Sequence, residues 1–227
     1  MFTYLITGAA QGLGKSLSTQ LIQQGHQVIL LDKNQKELNA LYDTLNSELV
    51  ALYPIDLLGA TLNDYEDLQE NLSQEFGHLD GVILNAAVLP AFTQIDQFDY
   101  QQWYEILQTN LNANFHLIQN TLPLLSNSSQ GKLLAVLDDS TTQHPAYYGA
   151  YGVAKAGLKQ LMITLGAEQK NSTIDVYTAT LEPFATSNRG RLFPGENPMK
   201  LPMPDDIAQR ILAQLLENKA HESIKCL

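Results

Sequence analysis

The feature that most restricts what this chain can fold into is its opening. A short apolar strand runs into a glycine-rich turn and out into an amphipathic helix. Met1 to Ile6 is the strand, Thr7-Gly8-Ala9-Ala10-Gln11-Gly12-Leu13-Gly14 is the turn, and Leu17, Leu21 and Ile22 recur at helical spacing behind it. Glycines permit a tight turn and a close backbone approach. The start of the helix offers unpaired N–H groups and the positive end of its dipole to a pyrophosphate. A second strand, Gln27 to Leu31, ends in Asp32. A carboxylate there can accept both ribose hydroxyls of an adenosine and repels a 2′-phosphate, which favours NAD. Lys33 beside it could pair with that phosphate, so NADP stays possible.

The same alternation continues along the chain. Strands are predicted near 2–6, 27–31, 49–55, 80–84, 131–137 and 173–180, with a short last one near 223–227. Helices are predicted near 12–24, 34–47, 61–77, 100–126, 149–170 and 204–218. This pattern predicts an α/β fold with a doubly wound parallel sheet of about seven strands, in the order 3-2-1-4-5-6-7, flanked by helices. Ligands in such sheets bind at the carboxyl ends of the strands near the switch in strand order. The glycine turn, Asn85, the Asp138–Ser140 run and Pro183 all follow strands and converge on that edge.

At 227 residues, the chain is read as one domain over 1–227. No apolar run reaches the roughly 18 residues of a membrane span, and the chain's first residues already read as a strand, so no membrane partner and no secretory signal are expected. The single cysteine, Cys226, excludes an internal disulfide framework and suits a reducing, cytoplasmic compartment. The five histidines are scattered and lack zinc-type spacing, so no metal is expected. A formal charge of −11 with scattered basic residues argues against a nucleic-acid partner.

Tyr151-Gly152-Val153-Ala154-Lys155 places a phenol and an ammonium one helical turn apart on one face. A tyrosine that passes protons near neutral pH needs a nearby positive charge to stabilise its phenolate, and Lys155 can supply it.

With these residues in view, the chain resembles the short-chain dehydrogenase/reductase family over nearly its whole length. Thr-Gly-x-x-x-Gly-x-Gly is met by residues 7 to 14 and Tyr-x-x-x-Lys by Tyr151 and Lys155. Asn85-Ala86-Ala87 resembles the family's Asn-Ala-Gly, with alanine for the last glycine. Asn110 resembles its helix asparagine, and Asp56, followed by Leu57, its adenine-contacting aspartate. The resemblance implies a Rossmann-type domain in which Tyr151 is the general acid/base. Lys155 would lower the phenol's pKa and hold the nicotinamide ribose, and Asn110 would continue a proton relay through water. Gly8, Gln11, Gly12, Leu13, Gly14, Asp32, Asp56, Leu57, Asn85, Ala86, Ala87, Pro183 and Thr186 would hold the dinucleotide together with Tyr151 and Lys155.

Two departures qualify this reading. The family's substrate-binding serine lies about thirteen positions before the tyrosine, where this chain has Asp138; the nearest hydroxyls are Ser140, Thr141 and Thr142. A carboxylate only accepts hydrogen bonds, so Ser140, brought into place by a bulge, is the candidate for that role, with Asp138 and the threonines as alternatives. The family's Pro-Gly after the sixth strand is replaced by Pro183-Phe184, whose ring either covers the nicotinamide or packs in the core.

Residues 187–204, rich in proline, fall where the family has a substrate lid, against which stands an ordinary surface loop. The helix near 100–126 and the Tyr151 helix form the family's dimer surface, to which Trp103, Tyr104 and Phe115 could contribute; a homodimer or homotetramer is therefore expected. The expected activity is NAD(P)-dependent hydride transfer to or from a small or medium alcohol or carbonyl substrate. The alternative is a catalytically weak dinucleotide-binding protein acting as a redox sensor or assembly partner.

Overall fold

The computed structural model describes residues 1–217 and 224–226. Six strands, β1 (Thr3–Thr7), β2 (Gln27–Asp32), β3 (Val50–Pro54), β4 (Gly81–Leu84), β5 (Gly131–Asp138) and β6 (Ile174–Leu181), are joined at one edge by a short β7 (Ile224–Cys226). They pair in parallel in the order β3-β2-β1-β4-β5-β6-β7, as the alternation predicts. The ends of the expected last strand, residues 223 and 227, lie outside the described residues.

The strands are buried on both sides, so their sequences read as continuous apolar runs. Alternate residues feed two separate cores. Tyr4, Ile6, Val28 and Leu30 meet α1 (Gly12–Gln23), α2 (Gln35–Leu45) and α9 (Pro204–Leu216) through Leu17, Leu38 and Ile211. Leu5, Ile29, Val82 and Leu133 meet α3 (Leu62–Phe76), α5 (Ala113–Ser126) and α7 (Gly149–Glu168) through Leu68, Leu117 and Leu158. Among the described residues no helix is long and apolar enough to cross a membrane.

Three local departures from the expected elements bear on the site. The single helix expected over 100–126 is α4 (Tyr100–Leu107), a π-turn (Gln108–Asn112) and α5. Within that turn the Asn110 carbonyl accepts from the Asn114 side chain at 2.8 Å, while the Asn110 amide faces away from the helix to a loop. Such wide turns are frequent at functional positions. Two short helices, α6 (Ser140–Gln143) and α8 (Ser187–Leu192), fall where no helix was expected, because four and six residues are too few to show a period. Of the three aromatics expected on the outer helix faces, Trp103 packs edge-on against Phe98, whereas Tyr104 and Phe115 are exposed.

Candidate active site

The sheet's order switches at β1, which lies between β2 and β4, and the crevice begins there. The Thr7 hydroxyl is the hub. It accepts from Asn85 N at 2.9 Å and Ala86 N at 3.0 Å, while the Asn85 side-chain amide donates to Thr7 O and Gly8 O. This ties the glycine turn to the loop after β4. Gly14 must be glycine for packing: a Cβ there would lie 2.1 Å from Gly8 O. Gly8 and Gly12 have positive φ, +65° and +53°, which a side chain would strain. Gln11 gives α1 no side-chain cap, so the first amides of that helix remain available to an anion. A glycine cradle ending on an uncapped helix fits the diphosphate of a dinucleotide.

At the adenosine end, Asp32 is more committed than the sequence suggests. Its carboxylate accepts from Ala10 N at 3.1 Å and from Asn34 N at 3.0 Å. Asp56 is exposed and turns its own loop, accepting from Leu58 N at 3.2 Å, while Leu57 is buried in the core beside it.

The reacting end is a cavity of about 180 Å³. Leu13, Asn85, Ala87, Tyr151, Lys155, Pro183 and Thr186 all line it, so these candidates from four separate stretches of sequence share one space. Asn110 and Ser140 are not among its lining residues. The fully buried Asn110 holds the loop after β4, accepting from Val88 N and donating to Val88 O, both at 2.8 Å. Phe184 lines the cavity and also packs against the core beside it.

Tyr151 does not face Ser140. Its hydroxyl donates to Asp138 Oδ2 at 3.1 Å, and Asp138 Oδ1 accepts from Ser140 N at 2.9 Å. The bulge that would have advanced Ser140 does not form, because β5 stays paired in register as far as Asp138 opposite Leu181. The Ser140 hydroxyl instead interacts with the Tyr148 phenol, and Thr141 Oγ1 donates back to Asp138 O at 2.7 Å.

The charge balance around the phenol is also the reverse of the expectation. Tyr151 is 7% exposed, and its pKa is held well above the ordinary value, first by burial and then by the Asp138 carboxylate. Lys155, 5% exposed, donates to Val136 O at 2.8 Å, and its Nζ lies 5.7 Å from the centre of the Tyr151 ring. Burial brings its pKa down from 10.5 to about 8, against a smaller upward pull from Asp138. Burial and the Asp138 carboxylate therefore outweigh Lys155 in setting the Tyr151 pKa in this arrangement.

The segment after β6 folds over the cavity. Arg191 donates to Leu89 O at 2.8 Å and to Pro90 O, and Arg189 forms a two-point ion pair with Glu196. Phe193 meets Phe92 edge-on at 5.1 Å, and Phe92 meets Tyr148 at the same distance. Tyr148 is a cavity residue that the sequence reading missed; only its place in a Tyr-Tyr-Gly run ahead of α7 could have drawn attention to it.

Comparison with known proteins agrees with this geometry. The sequence profile of the short chain dehydrogenase family matches residues 3–197. The uncharacterized oxidoreductase YciK of Escherichia coli K12 is 31% identical over 206 residues, 89% of this chain and 81% of the relative. A short chain dehydrogenase of Shigella flexneri, solved with NADP, superposes with a TM-score of 0.92 at 28% identity, covering 99% of this chain and 96% of the other. One of Escherichia coli CFT073, solved with NADPH, gives 0.92 at 29%, covering 99% and 95%. The NAD preference expected from Asp32 finds no support in these relatives, whose bound dinucleotide is the phosphorylated form.

Proposed function

The chain belongs to the short-chain dehydrogenase family of oxidoreductases, and from that premise we propose that it binds NADP(H) and transfers hydride between the nicotinamide and a small organic substrate. The observation that carries the reading is that Leu13, Asn85, Ala87, Pro183 and Thr186, from the stretches suited to the dinucleotide, line one cavity with the Tyr151–Lys155 pair.

When bound, the dinucleotide supplies or accepts the hydride. The glycine turn and the uncapped start of α1 hold its diphosphate. The NADP-bound relatives support the phosphorylated form. The exposed Lys33 and Lys36 beside Asp32 offer cations to a 2′-phosphate. Lys155 holds the ribose side of the site, and Tyr151 carries the proton exchanged with the substrate. Asn110 positions the loop after β4 through Val88, and residues 187–204 form a lid latched by Arg191 on Leu89 and Pro90. Closure of such a lid excludes water from the hydride path.

Titration of the purified protein with NADPH and NADH, followed by absorbance with a panel of unsaturated substrates, tests this. Tighter binding of NADPH with turnover is the expected result; binding of neither dinucleotide ends the reading. One observation favours a second reading. Tyr151 spends its proton on Asp138, which suits a protein that binds the dinucleotide without turnover, as a redox sensor. Binding of NADPH with no consumption across the whole panel supports that alternative.

A further inference from the structure

The group opposite the Tyr151 hydroxyl decides which reacting bond the pocket accepts. Here that group is a carboxylate, and it offers no proton: Asp138 accepts from Ser140 N with one oxygen and from Tyr151 Oη with the other. Neither nearby aliphatic hydroxyl replaces the missing donor, since Ser140 is not in the cavity lining and Thr141 Oγ1 donates to Asp138 O; the phenols in the lining are those of Tyr148 and of Tyr151, the latter already donating to Asp138. A ketone oxygen entering this corner would bring only lone pairs, and its reduction would build negative charge beside a carboxylate. A protonated nitrogen has the opposite properties, bringing an N–H donor and a positive charge.

We propose that the pocket takes a substrate whose reacting bond is a protonated carbon–nitrogen double bond, an iminium or a protonated cyclic imine, with its N–H donating to Asp138. This rests on the oxidoreductase reading above and narrows its substrate class. Two further features of the cavity agree. Tyr148 and Phe193 bring aromatic rings to the lining, and the Phe193 ring already holds a cation, the Arg189 guanidinium at 4.2 Å, as ring faces do. The charges also suit a cation. Arg189 is paired with Glu196, and the exposed Glu182 joins Asp138 as a second acidic group in the lining, against the one ammonium of Lys155.

In the reduction, the substrate carbon gains a hydride from a reduced nicotinamide dinucleotide. The π pair of the C=N bond becomes the nitrogen lone pair, the N–H proton stays in place, and an amine and the oxidised dinucleotide result. A neutral imine takes up one proton from water beforehand. Asp138 stabilises that protonated form, which is the better hydride acceptor.

The test uses a methyl-pyrroline as the cyclic imine, cyclopentanone as the ketone of matched ring size, and pyrrolidine as the saturated cationic amine. NADPH consumption is measured with the first two, and pyrrolidine binding to the NADP⁺-loaded protein is measured by calorimetry, for wild type, Asp138→Asn and Asp138→Ser. Wild type should consume the imine in preference to the ketone. Pyrrolidine affinity should fall roughly ten- to hundredfold in both variants, the loss of a hydrogen bond to a charged group, and Asp138→Ser should gain ketone reduction. If the variants fail to fold, wild type alone decides, since it should bind pyrrolidine and not the neutral cyclopentanol. Ketone consumption by wild type at the imine's rate or faster, no pyrrolidine binding, or unchanged pyrrolidine affinity in Asp138→Asn overturns the proposal and leaves the oxidoreductase reading intact. Failure to bind either dinucleotide overturns that reading itself.

Discussion

Lys155→Met should change how stability depends on pH, and the size of the change follows from the burial of one ammonium group. Lys155 is 5% exposed, and its pKa falls from 10.5 to about 8 chiefly through lost hydration. The folded pKa is below the unfolded one, so between those values the unfolded chain binds more protons and stability rises with pH. The contribution is complete above the unfolded pKa and is lost as pH falls through the folded one. At 1.36 kcal/mol per unit, the whole window is worth about 3 kcal/mol, of which about 2 kcal/mol accrues between about pH 7 and about pH 9.5. Buried tyrosines act in the opposite sense at higher pH. Tyr65 and Tyr177 are both raised to about 12, and Tyr4 and Tyr151 are also raised, so they hold protons in the folded state that the unfolded chain gives up. They are present in both proteins, as is Lys132, whose pKa burial also lowers, and they cancel in the difference. Methionine keeps the length and apolar stem of the side chain while removing the charge; the lost bond to Val136 O adds an offset that does not depend on pH. Urea denaturation of wild type and variant without dinucleotide, at several pH values across that range, gives the difference directly. Wild type should gain about 2 kcal/mol relative to the variant as pH rises. A gap constant to within about 0.5 kcal/mol would show that Lys155 is hydrated or paired in the folded state and would refute the argument.

Tyr151→Phe removes the proton carrier that a carbonyl substrate needs, so any ketone turnover should fall by about 10²–10⁴-fold while dinucleotide affinity, measured by fluorescence titration, stays within about threefold. Surviving ketone turnover would move the proton donor elsewhere. Gly14→Ala puts a methyl group 2.1 Å from Gly8 O and 2.8 Å from Asn85 Nδ2, so the turn must open. Overpacking of this kind should cost about 1–3 kcal/mol in denaturation, together with a marked loss of NADPH affinity; an unchanged affinity would mean that the diphosphate does not use this turn. Thr7→Val keeps the shape of a fully buried side chain but strands Asn85 N and Ala86 N. At about 1–3 kcal/mol for each orphaned amide, a loss of about 2–6 kcal/mol is expected, and a loss under about 1 kcal/mol would mean that water reaches both amides.

What could be read from the sequence followed from regular spacing. Seven strands in the right order came from apolar runs alternating with helical periods, and the cofactor end from glycines whose placement the backbone requires. The Tyr151–Asp138 contact was half legible. Counting back thirteen positions finds Asp138, but whether β5 keeps its register that far is decided by its pairing with β6, and a one-residue bulge would have turned Ser140 inward instead. Burial was not legible at all. The sequence shows Lys155 one turn from Tyr151 and suggests a lowered phenol pKa. The fold removes water from both groups and sets a carboxylate against the phenol, so desolvation exceeds the pairwise attraction and the phenol pKa rises. Asp32 followed the same pattern: its position at the end of β2 is plain in the sequence, yet its engagement by Ala10 N and Asn34 N comes from a turn that is folded only in three dimensions.

The consequence for mechanism lies in that reversal. A phenol with a raised pKa beside a carboxylate is a poor candidate for ionising on its own. Such a pair stabilises positive charge arriving from outside better than it stabilises an alkoxide forming within. The proposed substrate, which enters as a cation and takes up a hydride, asks the pair for no net proton, and this is what would reconcile Asp138 with that reaction where a ketone would find no donor at position 138.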